Sequence, residues 1–146
     1  MKRICFVCLG NICRSPMAEF IMKDKVKKLG LENEYLIESR GTSDEEYGND
    51  MYPPAKRMLD EKNIPYTTHK ATPLLESDYD KYDYFICMEE SNIRNISYIF
   101  NDKNKKVRKL LDRDISDPWY TRNFISTYND LVEGIDLLLN DIITKK

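Results

Sequence analysis

The sequence predicts a small α/β fold, a doubly wound four-stranded parallel sheet with helices on both faces. Three observations carry this. Short apolar runs recur along the chain, and helix-length segments with inward-facing apolar residues separate them. The length, 146 residues, suits one domain spanning 1–146. Strands that alternate with helices imply right-handed βαβ units, whose ligands bind at the C-terminal ends of the strands.

The elements follow in order. Ile4–Val7 is a short apolar run, consistent with a buried parallel strand. The chain then passes without period through Cys8-Leu-Gly-Asn-Ile-Cys-Arg14. Ser15-Pro16 predicts a helix start, with Ser15 as the N-cap and Pro16 at the first helical position. That helix carries Met17, Phe20, Ile21 and Val26 inward and stops near Gly30. Tyr35–Glu38 reads as a second strand, Arg40–Ser43 as a turn and Asp44–Asp50 as a polar loop. Pro53-Pro54 opens a helix with Met58 and Leu59 inside, ending at Asn63. Tyr82–Met88 is a third strand, Glu89–Phe100 a helix, and Val107–Leu111 a fourth strand. Asp112–Tyr120 reads as a loop. Phe124, Tyr128, Leu131, Val132, Ile135, Leu138, Leu139 and Ile142 mark a long amphipathic C-terminal helix. The five tyrosines from Tyr47 to Tyr82 have no clean period and read as surface and boundary residues.

Composition excludes several function classes. Lys and Arg number 23 against 25 Asp and Glu, a net charge of −2, which argues against a general nucleic-acid binder. No apolar run approaches the roughly 18 residues of a membrane span, and the N-terminal apolar stretch is too short for a signal peptide. No membrane partner is expected, and the expected location is cytoplasmic. The single histidine, His69, excludes any site needing two His ligands. Cys5 and Cys8 have zinc or redox spacing, but on a strand they point to opposite faces. Cys13, Cys87 and His69 are too oddly spaced to complete a zinc site, so neither metal nor cofactor is expected. Cys87, in an apolar strand, reads as plain core.

The chemistry concentrates between Cys8 and Arg14. The loop joins a strand to a helix N-terminus, where backbone N–H groups and the helix dipole favour an anion. Gly10 and Asn11 are residue types that tolerate left-handed backbone angles, so the chain can curl into a nest. Arg14 offers a planar fork that matches two phosphate oxygens. The cradle favours the thiolate of a cysteine placed in it, and the Ser15 hydroxyl can donate to that sulfur. An ionised sulfur beneath a bound phosphorus is a nucleophile for in-line attack. Cys13 shares the loop and could bond to Cys8 on oxidation.

The string Val7-Cys-Leu-Gly-Asn-Ile-Cys-Arg-Ser-Pro16 resembles the opening signature of the low-molecular-weight protein tyrosine phosphatase family. The resemblance extends to Ser39-Arg-Gly-Thr42, His69 and Asp117-Pro118, and so over nearly the whole chain. It implies the family's phosphotyrosine protein phosphatase I-like fold. It also implies Cys8 as nucleophile, Arg14 as phosphoryl ligand and Asp117 as general acid. The residues Cys8, Leu9, Gly10, Asn11, Ile12, Cys13, Arg14 and Ser15 would form the phosphate-binding loop. Asn11 would hold its strained conformation through a network with Ser39 and His69. An acid is independently required, because a phosphate ester needs its leaving oxygen protonated.

Trp119 and Tyr120 are expected to wall an aryl pocket. Where many members carry a second aromatic wall residue this chain has Glu45, for which Tyr47 is a substitute. Thr72 stands where the family often has Arg. The expected substrate is a phosphotyrosine-containing protein or a small aryl phosphate, with inorganic phosphate as an inhibiting product. Three alternatives remain. A phosphoarginine phosphatase of the same family favours Thr at the position of Ile12. An arsenate reductase needs two further relay cysteines. A phosphocysteine carrier needs no acid at Asp117.

Overall fold

The computed structural model describes residues 1–144. Four parallel strands, β1 (Lys2–Cys8), β2 (Tyr35–Gly41), β3 (Tyr84–Cys87) and β4 (Val107–Lys109), lie in the order β2-β1-β3-β4. The order reverses direction beside β1, so the C-terminal end of β1 is a topological switch point. This is the doubly wound sheet that the sequence predicts. The helices are α1 (Arg14–Lys28), α2 (Pro53–Glu61), α3 (Glu90–Ile96), α4 (Pro118–Thr121) and α5 (Phe124–Thr144).

Strand parity divides the core in two. Ile4, Phe6 and Cys8 join the larger cluster under α1, α2 and α5, with Met17, Ile21, Leu59, Leu131, Ile135 and Leu138. Cys5 and Val7 face the other way, onto Tyr79, Tyr82, Phe85, Cys87 and Ile96. Cys5 and Cys8 therefore lie on opposite faces of the sheet, as alternation requires. The apolar stripe of α5 buries Leu131, Ile135, Leu138, Leu139 and Ile142, as its periodicity predicts. Among the described residues no helix is long and apolar enough to cross a membrane.

Several expected boundaries are corrected. β2 runs through Arg40 and Gly41, where a turn was expected, because Gly41 still pairs with Cys8 and bridges to Pro73. β3 and β4 are shorter than expected, and α3 ends at Ile96 rather than Phe100. There the Ser97 hydroxyl donates to the Arg94 carbonyl, and tight turns carry the chain on to Phe100. Ser15 is no N-cap: α1 begins at Arg14, so Ser15 sits inside its first turn with its hydroxyl committed elsewhere. The loop before α5 contains α4, which Asp117 caps. Tyr79 and Tyr82 are core rather than surface. Each satisfies its buried hydroxyl on a carboxylate, Tyr79 on Asp102 at 2.8 Å and Tyr82 on Glu38 at 2.5 Å.

Candidate active site

Cys8 ends β1 at the switch point, and the next five residues curl back to the start of α1. The curl has a specific cause at Asn11, whose φ is 59°, in the left-handed region. Gly10, expected to share that role, does not adopt a positive φ. The glycine that the curl needs is Gly41. A Cβ there would lie 2.9 Å from the Leu9 carbonyl oxygen and 3.1 Å from the Asn11 Cβ. The loop carbonyls bond outward. Those of Cys8, Leu9 and Ile12 accept from the backbone N–H groups of Thr42, Ser43 and Tyr52. The N–H groups of Leu9, Gly10, Ile12 and Cys13 donate to no acceptor among the described residues, which is the arrangement of an anion nest.

The Asn11 side chain is fully used. Its Nδ2 donates to Ser15 Oγ at 2.7 Å and to Ser39 Oγ at 3.0 Å, while its Oδ1 accepts from the Thr72 N–H at 3.0 Å. Its backbone carbonyl lies 2.7 Å from His69 Nε2. A carbonyl only accepts, so that ring nitrogen carries the proton. Ser39 in turn donates to the buried carboxylate of Glu19 at 2.6 Å. Ser15 Oγ accepts from Asn11 and lies 3.0 Å from Cys8 Sγ; with the sulfur as thiolate, which can only accept, the Ser15 proton points to it. The Asn11 N–H also donates to that sulfur, at 3.3 Å. Two donors converge on one sulfur, an arrangement that suits a thiolate.

Arg14 is buried at the start of α1. Its Nη1 donates to Glu89 Oε2 at 3.0 Å and to the Ile115 carbonyl at 2.9 Å, and its Nη2 lies 3.4 Å from Asp117 Oδ2. Burial works against the charged guanidinium, but the charges of Cys8, Glu89 and Asp117 outweigh it and hold its pKa above the ordinary arginine value. Asp117 caps α4 by accepting from the Trp119 N–H at 3.0 Å. Burial first, and then the Cys8 charge, pushes the Cys13 thiol well up.

One cavity gathers Cys8, Leu9, Gly10, Ile12, Cys13 and Arg14 at its floor, with Glu45, Asp117, Trp119 and Tyr120 at its walls. Tyr47 is not among its lining residues; it is exposed, with its ring under the Lys70 ammonium. Its place is taken by Ser43 and Glu46, which sequence reasoning missed. Also missed were Glu19, Tyr52 and Glu89, and the parts that Gly41 and Thr72 play in holding the loop. Only Gly41 carried a local signal, in the Arg-Gly-Thr run. Ser39 and His69 both hydrogen-bond to Asn11 beneath the loop. Among the described residues no group of three or more His, Cys, Asp or Glu is placed to hold a metal ion.

Comparison with known proteins bears on this site. A sequence model of the family described as low molecular weight phosphotyrosine protein phosphatase matches residues 3–146. The chain is 38% identical to the low molecular weight protein-tyrosine-phosphatase PtpA of Staphylococcus saprophyticus, over 98% of this chain and 95% of that one. It is 35% identical to PtpA of Staphylococcus aureus with the same coverage. Among solved structures, a low molecular weight protein tyrosine phosphatase from Streptococcus pyogenes superposes with a TM-score of 0.91 at 37% identity, covering 99% of this chain and 95% of that one. YfkJ from Bacillus subtilis superposes with a TM-score of 0.96 at 34% identity, covering 100% and 97%.

Proposed function

The chain belongs to the low molecular weight phosphotyrosine protein phosphatase family, and from that premise we propose that it hydrolyses phosphotyrosine through a phosphocysteine on Cys8. The observation that carries the mechanism is the convergence of Ser15 Oγ and the Asn11 N–H on Cys8 Sγ, at the floor of a cavity walled by Asp117. In the first step the Cys8 thiolate attacks phosphorus, the bond to the phenolic oxygen breaks, and Asp117 gives that oxygen its proton. In the second, the Asp117 carboxylate takes a proton from water, which attacks phosphorus and displaces the thiolate. The free loop N–H groups and Arg14 stabilise the equatorial oxygens throughout. Glu89 and the Ile115 carbonyl hold the guanidinium in place from behind.

The substrate is a phosphotyrosine-containing protein or a small aryl phosphate, its ring between Trp119, Tyr120 and the Glu45 segment. Ile12 lines the cavity without a polar group, which favours an aryl ester over a phosphoguanidine. Cys87 faces away from Cys8 across the sheet, so it is no relay thiol for an arsenate reductase. Inorganic phosphate fits the same cradle and inhibits as product. We read residues 1–146 as one phosphatase domain, acting without metal or cofactor on neither nucleic acid nor membrane. Its four free thiols suit the reducing cytoplasm.

The site is also redox-sensitive in this reading. Peroxide oxidises the Cys8 thiolate to sulfenic acid, and the Cys13 thiol condenses with it, forming a disulfide and releasing water. Peptide mapping after mild peroxide should find the Cys8–Cys13 bridge, and dithiothreitol should restore activity to wild type more fully than to Cys13→Ser. Equal recovery would remove the protective role.

The central test is release of inorganic phosphate from an aryl phosphate without added metal. Repeated turnover supports a phosphatase. A single equivalent of phosphocysteine without turnover would make the protein a carrier instead.

A further inference from the structure

Tyr52, already tied to the loop by its backbone, and Arg122, not used so far, join the two halves of the site. The Tyr52 N–H donates to the Ile12 carbonyl at 2.8 Å, so its backbone is fastened to the Cys8–Ser15 loop. Its ring centre lies 4.7 Å from that of Trp119 and 6.2 Å from that of Phe124. Arg122 follows α4 in the left-handed conformation, at φ 61°. Its Nη1 donates to Tyr52 Oη at 2.6 Å, and its guanidinium lies 6.0 Å from the Tyr52 ring centre and 5.8 Å from that of Trp119. Among the described residues no carboxylate pairs with it. The circuit closes through Asp117, which accepts from the Trp119 N–H.

We propose that Tyr52 and Arg122 are positioning residues, a brace that fixes the Asp117 segment against the Cys8–Ser15 loop and so sets the distance from the acid to the leaving oxygen. The left-handed backbone of Arg122 is that of a helix C-cap, its N–H donating to the Pro118 carbonyl at 2.9 Å, and it aims the side chain at these two rings and one hydroxyl. α4 is a single turn between a loop and α5, so its own hydrogen bonds cannot hold it to the floor of the cavity. A misplacement of about 1 Å at a reacting group can cost on the order of 10²-fold in rate. Protonation of a poor leaving group is the step most exposed to that loss. The proposal rests on the reading of Asp117 as general acid.

The experiment measures kcat/KM for phenyl phosphate and for nitrophenyl phosphate, with inhibition by inorganic phosphate as the control on the loop. The variants are Tyr52→Phe, which deletes only the hydroxyl, and Arg122→Gly, which removes the side chain while suiting the left-handed backbone. Arg122→Lys keeps a cation and a donor, and Asp117→Asn is the reference. Tyr52→Phe and Arg122→Gly should lower kcat/KM for phenyl phosphate by about tenfold, and for nitrophenyl phosphate by about twofold or less. Phosphate affinity should shift by less than about twofold, and Arg122→Lys should recover most of the loss. Trp119, the only tryptophan, should report the loosened brace as a change in fluorescence. In the Asp117→Asn background neither variant should add a further leaving-group-dependent loss. Equal losses on both substrates, or no loss, while Asp117→Asn shows its own leaving-group-dependent defect, would overturn the brace. An Asp117→Asn variant without that defect would overturn the acid assignment and the brace with it.

Discussion

The floor and the walls of the cavity are built on different terms. The floor, Cys8 to Ser15, is buried apart from Leu9, Gly10 and Ile12 and is tied to its surroundings through the carbonyls of Cys8, Leu9 and Ile12 and the side chain of Asn11, which leaves its inward N–H groups free for an anion. Asn11 alone reaches Ser15 within the floor, and Ser39, His69 and Thr72 from two other segments of the chain. The walls are exposed: Tyr120 is 76% and Trp119 40% accessible, and the Glu45 side chain projects to solvent. A rigid floor can fix a nucleophile and an oxyanion cradle to within tenths of an ångström, while exposed walls can vary without unfolding the protein. In the proposed mechanism the floor would therefore set the reaction type and the walls the preference among substrates.

The first way to break this division is at the sulfur. Cys8→Ser should abolish turnover while keeping affinity for phosphate or vanadate, because a serine hydroxyl is not ionised near neutral pH and the nest is untouched. Any steady-state activity in that variant would refute the nucleophile. Arg14→Lys should also lose nearly all turnover, since an ammonium cannot reproduce the planar fork held between Glu89 and Ile115.

Asp117 stands between floor and wall, and its replacement comes next in size. Asp117→Asn should cost phenyl phosphate about 10²–10⁴-fold in kcat/KM, the usual worth of a general acid. Nitrophenyl phosphate should lose less, because its leaving group needs no proton. An equal loss for both would make Asp117 a structural cap of α4 only.

Gly41→Ala is a smaller perturbation of the floor from outside it. The added methyl meets the backbone of Leu9 and Ser43 and the Asn11 Cβ, none of which can swing away. Overpacking of this kind costs about 1–3 kcal/mol, seen as a lower Tm. If the floor is as rigid as its hydrogen bonds imply, kcat for both aryl substrates should fall together, by about tenfold. A stability loss without any loss of turnover would show that the loop tolerates displacement.

How much of this was legible in the sequence follows the same division. The floor was legible because its chemistry is local: a strand, a curl and a helix start within Cys8–Pro16. The doubly wound parallel sheet followed from alternation of elements, whereas the strand order β2-β1-β3-β4 did not. What escaped were residues whose roles depend on long-range closure. Glu19 looks like an ordinary helical acid until Ser39 is found beside it. Glu89 looks like a helix cap until Arg14 reaches it across the sheet. Tyr82 looked like surface because aromatic residues without period give no sign that a Glu38 carboxylate waits for the hydroxyl. Tyr47 was offered as a wall because proximity in sequence cannot say which side of a loop a ring occupies. Gly10 and Asn11 both permit the left-handed angle, and nothing local in the sequence says that only Asn11 takes it.

The smallest expected effect lies on the wall and is electrostatic. Glu45 and Glu46 line the cavity mouth, and Arg14, the one basic residue in the lining, is buried at the floor. Glu46 accepts a neutral donor, Asn49, at 2.7 Å, so both carboxylates present net charge to an approaching peptide. A basic side chain next to the phosphotyrosine gains from that charge, and an acidic one loses. An exposed pair is worth about 0.2–1 kcal/mol, so one such pair with the glutamates should favour the basic peptide by about 1.4- to fivefold in kcat/KM. Glu45→Gln/Glu46→Gln should shrink that ratio toward one. Raising the salt should do the same in wild type, since screening acts over about 8 Å at physiological ionic strength. The comparison is a ratio between two peptides on the same enzyme, so a general change in activity cancels. A ratio that salt and both substitutions leave unmoved would place substrate preference on the rings of Trp119 and Tyr120 alone.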